Sequence, residues 1–340
     1  MTTLVTGGCG FVGINIAEEL LKEDENVVMY DRLPLPPAAQ DWFEKRAAPL
    51  TVVVGDVKDV GMLNRVLREF EIRRVIHAAA ITPGTEREAR EPREIVDVNV
   101  CGTINLLDAC KNAGCKRFIY VSSGVAYGKA HDDGGVLRED LSAPRPDNIN
   151  GITKFAAEQI ALRLGALWNL QVVCVRVGTV CGPWEFDTGV RDLVSVQLQV
   201  AKLAIRGESA LVPASESWRD WIYSRDVATG LVAVLKARSP RYTMYHLSAG
   251  CDWHGSFIDW CETLRKAFPK FSWRVVASGE QPNVSFPRDR DRTPMDIGRI
   301  VDDIGFKPRF GSREAYADYV EWIQGHLDFM RALPVRVEHD

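Results

Sequence analysis

Within its first thirteen residues the chain passes from a β-branched run, Thr2-Thr3-Leu4-Val5-Thr6, through the turn Gly7-Gly8-Cys9-Gly10-Phe11-Val12-Gly13 into an amphipathic stretch reaching Leu21. Gly7, Gly10 and Gly13 set a G-x-x-G-x-x-G spacing. Glycine at such places lets the backbone turn tightly, lets a pyrophosphate come close, and lets a helix pack against a strand. The N–H groups and positive dipole at the start of that helix then favour the phosphate. Gly7, Gly10, Phe11, Val12 and Gly13 are therefore candidate cofactor contacts, and a strand–turn–helix of this kind points to a parallel α/β fold.

The rest of the first half keeps that rhythm. Strands are predicted at Asn26–Tyr30, Leu50–Val54, Arg74–Ala78, Arg117–Val121 and Gln171–Arg176, with helices at Asp59–Phe70, Arg93–Ala113 and Lys154–Trp168. Near-continuously apolar strands separated by helices imply a parallel sheet buried on both faces. Beyond Gly182-Pro183 the segments become irregular and richer in Trp and Pro, with helices predicted at Val190–Ile205, Ser224–Lys236, Ser256–Ala267 and Ser312–Gly325. The expected architecture is a Rossmann-type doubly wound parallel sheet over residues 1–182, followed by a smaller C-terminal substrate lobe over 183–340, with room for the chain to cross between them. At 340 residues, 46% hydrophobic and 26% charged, the chain has enough apolar mass for that core. A net charge of −4 gives no global draw to nucleic acid or an anionic membrane. No apolar run is long enough to span a bilayer and no leader opens the sequence, so the expected location is cytoplasmic. The 8 cysteines are scattered with no C-x-x-C pair, which argues for reduced, mostly buried thiols and against a metal site.

Asp31 closes the second predicted strand, 18 residues past Gly13. An acid at about 20 residues from the glycines is placed to hydrogen-bond the adenosine ribose of a dinucleotide. Its carboxylate repels a 2′-phosphate, which selects NAD over NADP. Arg32, directly after it, is either a counterweight to that choice or a solvated partner of Asp31.

Further along, the sequence resembles the extended short-chain dehydrogenase/reductase superfamily, in its NAD-dependent epimerase/dehydratase branch. The resemblance rests on Gly55-Asp56-Val57, Val75-Ile76-His77-Ala78-Ala79-Ala80, Asn99-Val100-Cys101-Gly102-Thr103, Tyr120-Val121-Ser122-Ser123, Arg219-Asp220-Trp221 and Met295-Asp296-Ile297-Gly298, in the family's order. It implies that Asp56 and Val57 meet the adenine, that Ala78, Ala79, Ala80 and Val121 line the cofactor cleft, and that Asn99 steadies the central strands beside it. It also implies a homodimer built on the helices holding Asn99–Cys110 and Lys154–Leu164.

By the same resemblance Ser123, position 150 and Lys154 are the catalytic set. In the family a tyrosine takes the hydroxyl proton, a lysine four residues later lowers its pKa and holds the nicotinamide ribose, and the serine hydrogen-bonds the reacting oxygen. Here the tyrosine position is Asn150, and an amide does not accept a proton near neutral pH. Three readings stay open: a replacement that traps an otherwise ordinary enzyme in an inactive form, a natural non-catalytic NAD-binding or regulatory protein, or an enzyme in which another group serves as base. Tyr127, Tyr223 and His77 read more simply as packing or core residues.

The reaction expected from the resemblance is oxidation or epimerisation at a secondary alcohol of a sugar or sugar derivative. Gly124-Val125 stands where dehydratases carry Asp-Glu, which argues against 4,6-dehydration. The segment Arg176-Val177-Gly178-Thr179-Val180-Cys181-Gly182-Pro183 departs from the family's R-x-x-N-x-Y-G-P at Thr179 and Cys181, putting nucleotide-diphosphate binding in question. Arg219 favours an anion on the substrate, against an alternative as an ion pair with Asp220 or Asp226. Arg292, at the end of the charge-alternating run from Arg288, is a further substrate candidate with Ser123, Thr179 and Arg219. Trp184, Glu185 and Trp218 are expected along the cleft, with a place in the core as the alternative for the two tryptophans.

Overall fold

In the computed structural model, described for residues 1–46, 49–286 and 291–334, seven strands form one parallel sheet. In chain order the strands are β1 (Thr2–Thr6), β2 (Asn26–Asp31), β3 (Leu50–Val54), β4 (Arg74–His77), β5 (Arg117–Ser123), β6 (Gln171–Val177), β7 (Thr179–Cys181), β8 (Ser209–Val212), β9 (Trp221–Tyr223), β10 (Met244–Leu247) and β11 (Ser272–Val275). The sheet order is β10-β6-β5-β4-β1-β2-β3. The order reverses beside β1, between β4 and β2, so the loops leaving their C-terminal ends diverge and open a crevice there. Leu4, Val5, Val75, Ile76, Phe118 and Ile119 on the central strands are fully buried. Each such side chain contributes about 1.5–3 kcal/mol on leaving water, which fixes the middle of the sheet more firmly than any loop.

The chain returns late to the main sheet. β10 lies beyond residue 182, yet it pairs in parallel with β6, from Met244 opposite Cys174 to Leu247 opposite Val177. The Ser224–Lys236 helix leading to it packs on the Phe11–Leu21 helix. The smaller lobe holds a parallel pair, β8 with β11, and the helices Val196–Arg206, Phe257–Ala267 and Ser312–Gly325. Its core is aromatic: Trp260 stacks on Tyr319 with ring centres 5.3 Å apart, and Trp184 meets Trp322 edge-on at 5.1 Å. The two-stranded pair of β7 and β9 bridges the lobes.

Two helices differ from expectation. Instead of one α-helix over 93–113, the chain forms Pro92–Val96, a π-turn at Asp97–Cys101, and Gly102–Ala113. The wider turn rotates Asn99 inward, where its side chain brackets the backbone of Ile81; inserted π-turns of this kind recur near functional sites. The other helix begins at Val196 rather than Val190, because Ser195 caps it: the Ser195 hydroxyl accepts the Leu198 N–H at 3.1 Å. The residues before it pair differently, with Thr82 N–H donating to the Val190 carbonyl at 2.7 Å. Of the charge-alternating run, residues 288–290 lie outside the described residues.

Candidate active site

The crevice at the switch in strand order deepens into a cavity of about 710 Å³ between the two lobes. At one end lies the glycine turn. Gly7 has φ +66°, and a Cβ there would stand 2.7 Å from Ala79 N; Gly13 would bring one within 2.1 Å of Gly7 O. These two glycines are demanded by backbone approaching backbone. Gly10 differs, since a Cβ there would meet only Gly7 O at 3.4 Å and otherwise enter the cavity. Phe11 and Val12 follow as the first residues of the Phe11–Leu21 helix, where backbone N–H groups have no partner within the helix.

Asp31 reaches the same wall from the end of β2. Its carboxylate accepts the Cys9 N–H at 3.1 Å and the Leu33 N–H at 3.2 Å, which aims it at the turn. Burial raises its pKa, while those hydrogen bonds work against the rise. Arg32, Asp56, Val57, Ala78, Ala79, Ala80 and Val121 line the cavity with it. Asn99 does not. Its amide accepts the Ile81 N–H at 2.8 Å and donates to the Ile81 carbonyl at 2.9 Å and to Thr153 Oγ1 at 3.1 Å, so it shapes the wall from behind. The donor set fits a dinucleotide with an unphosphorylated adenosine ribose: N–H groups and an open glycine for the pyrophosphate, and a carboxylate for the ribose hydroxyls.

The Ile149–Trp168 helix delivers the next group. Asn148 caps it by accepting the Gly151 N–H at 2.8 Å, which turns Asn150 and Lys154, one turn apart, toward the cavity. Lys154 Nζ donates to the Val121 carbonyl at 2.9 Å, beside Ser123 at the end of β5. Burial pulls the Lys154 ammonium down to about 8, opposed by the charge of Glu158. Glu158 is itself engaged: it accepts Arg176 Nε at 2.9 Å and Nη2 at 2.6 Å, and the Ser122 hydroxyl as well. Asn150 N–H donates to Glu88 Oε1 at 3.1 Å, and Asn150 Oδ1 is buried with no hydrogen-bond partner among the described residues. Glu88 lines the cavity too. No pattern in the sequence marks it, because its link to Asn150 spans 62 positions.

His77, Tyr127 and Tyr223 are core residues. His77 lies between Thr6 Oγ1 at 2.6 Å and Thr103 Oγ1 at 2.9 Å, and burial pushes it down to about 3, so it stays neutral. The Tyr127 hydroxyl meets His246 Nε2 at 2.7 Å, and Tyr223 donates to Asp318 at 2.5 Å.

The same cavity is lined by Thr179, Arg219 and Arg292, and by Arg191, whose guanidinium lies 5.2 Å over the Phe11 ring. Arg292 is brought in by its backbone, which donates to the Trp218 carbonyl at 2.8 Å. His131, another lining residue, fastens this segment to the end of β5: Nδ1 accepts the Thr293 N–H at 3.1 Å and Nε2 lies 3.1 Å from the Gly124 carbonyl. The carboxylate of Asp220 accepts the Met295 N–H at 3.0 Å and the Ser248 hydroxyl, and that of Asp226 accepts the N–H groups of Arg309 and Phe310. Burial lifts Asp220 to about 6. Three expected cleft residues lie elsewhere. Trp184 is buried in the aromatic core, Glu185 is buried against Ser195 and Arg191, and Trp218 stacks on His254 at 4.4 Å.

A sequence profile described as "NAD dependent epimerase/dehydratase family" matches residues 3–247, which carry every element of the cavity's nucleotide end. The chain belongs to that family. The family is NAD-dependent, and NAD is a cofactor that the glycine turn and Asp31 fit. A trifunctional UDP-glucose 4,6-dehydratase/UDP-4-keto-6-deoxy-D-glucose 3,5-epimerase/UDP-4-keto-L-rhamnose-reductase of Arabidopsis thaliana is 29% identical over 237 residues, 68% of this chain and 35% of that protein. The chain thus spans about a third of that relative's length. A UDP-glucuronate 4-epimerase of Thermodesulfobacterium geofontis is 25% identical over 338 residues, 98% of this chain and 99% of its own. Among solved structures, the UDP-glucose 4-epimerase of Thermus thermophilus in complex with NAD is similar with a TM-score of 0.76 at 25% identity, covering 96% of this chain and 99% of that one. Among the described residues no helix is long and apolar enough to cross a membrane, and no cluster of His, Cys, Asp or Glu has metal-binding geometry.

Proposed function

We propose that this chain uses NAD to oxidise a secondary alcohol on an anionic sugar derivative, either releasing the ketone or reducing it from the opposite face as an epimerase. The observation that carries this reading is a single cavity lined together by the glycine turn and Asp31, by Ser123, Asn150 and Lys154, and by Arg219 and Arg292. Bound NAD supplies the hydride acceptor. Lys154 holds the nicotinamide ribose, Ser123 hydrogen-bonds the reacting oxygen, and the two arginines fix the substrate's anion. The nucleotide belongs to the lobe of residues 1–182 and the sugar is read mainly by 183–340. Thr179 and the buried Cys181 stand where nucleotide-sugar members differ, so sugar acids and nucleotide sugars are both in the substrate class.

The test is turnover. Stripped protein is titrated with NAD by calorimetry, then incubated with NAD and UDP-glucuronic acid, UDP-glucose and the free sugars and sugar acids, with reduced cofactor read by absorbance and epimers by chromatography. A second reading, a non-catalytic NAD-binding protein, is favoured by the amide at position 150; it requires tight NAD binding with no product in this chain or in its Asn150→Tyr variant.

The proposal extends to a homodimer. The Ile149–Trp168 helix exposes Ile152 and Leu167, 48% and 58% accessible, on a face left open by the sheet. Sedimentation of the purified chain at micromolar concentration tests this; a monomer there refutes it.

A further inference from the structure

With an amide in the tyrosine position, the proton of the substrate hydroxyl needs another destination, and the geometry points to Glu88, acting through a water held by Asn150. This assignment rests on the proposed reaction and deepens it. Three observations converge. Glu88 Oε1 already touches residue 150, accepting its backbone N–H at 3.1 Å. Both side chains line the cavity that holds Ser123 and Lys154. Asn150 Oδ1 is a buried acceptor with no partner among the described residues, and a buried acceptor in a native site calls for a donor.

With Glu94 and Asp56, which also line the cavity, paired to Lys58, the surroundings leave Glu88 as the carboxylate suited to the task. Its neighbours on the Thr85–Arg90 helix face other partners: Arg90 pairs with Glu86 and Glu91, and Arg87 with Asp192. Asp31 is turned to the nucleotide end by two backbone N–H groups. Asp220 is engaged by Met295 and Ser248, and His131 by Thr293 and Gly124.

The step balances as follows. The substrate C–H bond breaks with its electron pair passing to the nicotinamide, and the O–H bond breaks with its pair forming the carbonyl. The proton joins the water, which gives one of its own hydrogens to Glu88 and keeps the other on Asn150 Oδ1. The alcohol is oxidised, NAD is reduced, and Glu88 becomes a carboxylic acid. In epimerisation the same path runs backwards.

The experiment compares four proteins: the natural chain, Glu88→Gln, Asn150→Tyr, and the double variant, each with NAD and with UDP-glucuronic acid, UDP-glucose and the free sugars as probes. Glutamine keeps the oxygen that accepts the Asn150 N–H but does not take a proton. Glu88→Gln is expected to lower kcat by about 10²–10⁴-fold, the usual worth of a general base, with NAD affinity by calorimetry unchanged. In the Asn150→Tyr background the same change is expected to cost under about tenfold, because the phenol takes over the proton. Infrared difference spectra on mixing with substrate should show a carboxylic-acid carbonyl band that Glu88→Gln lacks. Equal losses in both backgrounds would mean a purely structural role and overturn the assignment, as would full activity of Glu88→Gln. An inert natural chain beside an active Asn150→Tyr variant also overturns it, while leaving the proposed reaction standing. If none of the four turns over although NAD binds, the proposed reaction itself fails.

Discussion

Replacing Lys154 by methionine is expected to stabilise the protein without NAD while abolishing its chemistry. The ammonium is buried, and burial lowers its pKa from the ordinary 10.5 to about 8. At about 1.36 kcal/mol per pH unit, that interval corresponds to about 3 kcal/mol by which the native state suffers from keeping the proton at neutral pH. Methionine removes the charge and retains much of the apolar stem, but it also strips the Val121 carbonyl of its donor, which returns about 1–3 kcal/mol. The net expectation is a small gain in stability, up to about 2 kcal/mol. The sign of the pH dependence is the sharper test. The folded pKa lies below the unfolded one, so between pH 8 and 10.5 the unfolded chain binds more protons and stability rises with pH across that window. Urea unfolding of stripped protein at pH 7, 8, 9 and 10 reads this directly: the midpoint of the natural chain should climb relative to that of Lys154→Met, so that the two converge or cross. If the difference between the two proteins is flat with pH, the buried lysine is not strained and the reasoning fails.

Other perturbations act on separate parts. Gly13→Ala puts a methyl 2.1 Å from the Gly7 carbonyl, so NAD affinity by calorimetry should drop at least about tenfold, or about 1.4 kcal/mol; an unchanged Kd would contradict the packing described. Glu158→Gln leaves the Arg176 guanidinium in the core without its carboxylate, a loss of about 3–5 kcal/mol in denaturant unfolding, whereas a paired Glu158→Leu/Arg176→Met replacement should lose less. Arg219→Gln should raise KM for an anionic substrate by about ten- to 150-fold, the worth of one charge-assisted hydrogen bond at about 1.5–3 kcal/mol, with NAD binding intact; equal loss of NAD would place Arg219 on the wrong ligand.

The glycine turn and the acid that faces it were legible in the sequence because they are local. The glycine spacing and Asp31 lie within one strand–helix–strand unit, and their geometry follows from the turn itself. Ser123 and Lys154 were legible by resemblance, and the structure brings both to one cavity with the arginines. What stayed hidden depends on contacts between distant segments. Glu88 sits in a polar stretch that reads as surface, and only its reach to Asn150 gives it meaning. The π-turn at Asp97–Cys101 leaves no mark in a helical periodicity, because it inserts one residue without changing the residue types. Trp184 and Glu185 follow a family motif and so invite placement in the cleft, yet the aromatic core and the ring of Ser195 and Arg191 draw them inward.

β10 sets when the main sheet can be completed during synthesis. β6 emerges from the ribosome more than sixty residues before β10, its neighbour on the outer side. Until Leu247 is free, the nascent chain presents β6 as a bare border whose backbone amides and carbonyls are open to any passing strand. A shortened gene ending near residue 182 would freeze the protein at that stage, so such a fragment belongs in the insoluble fraction.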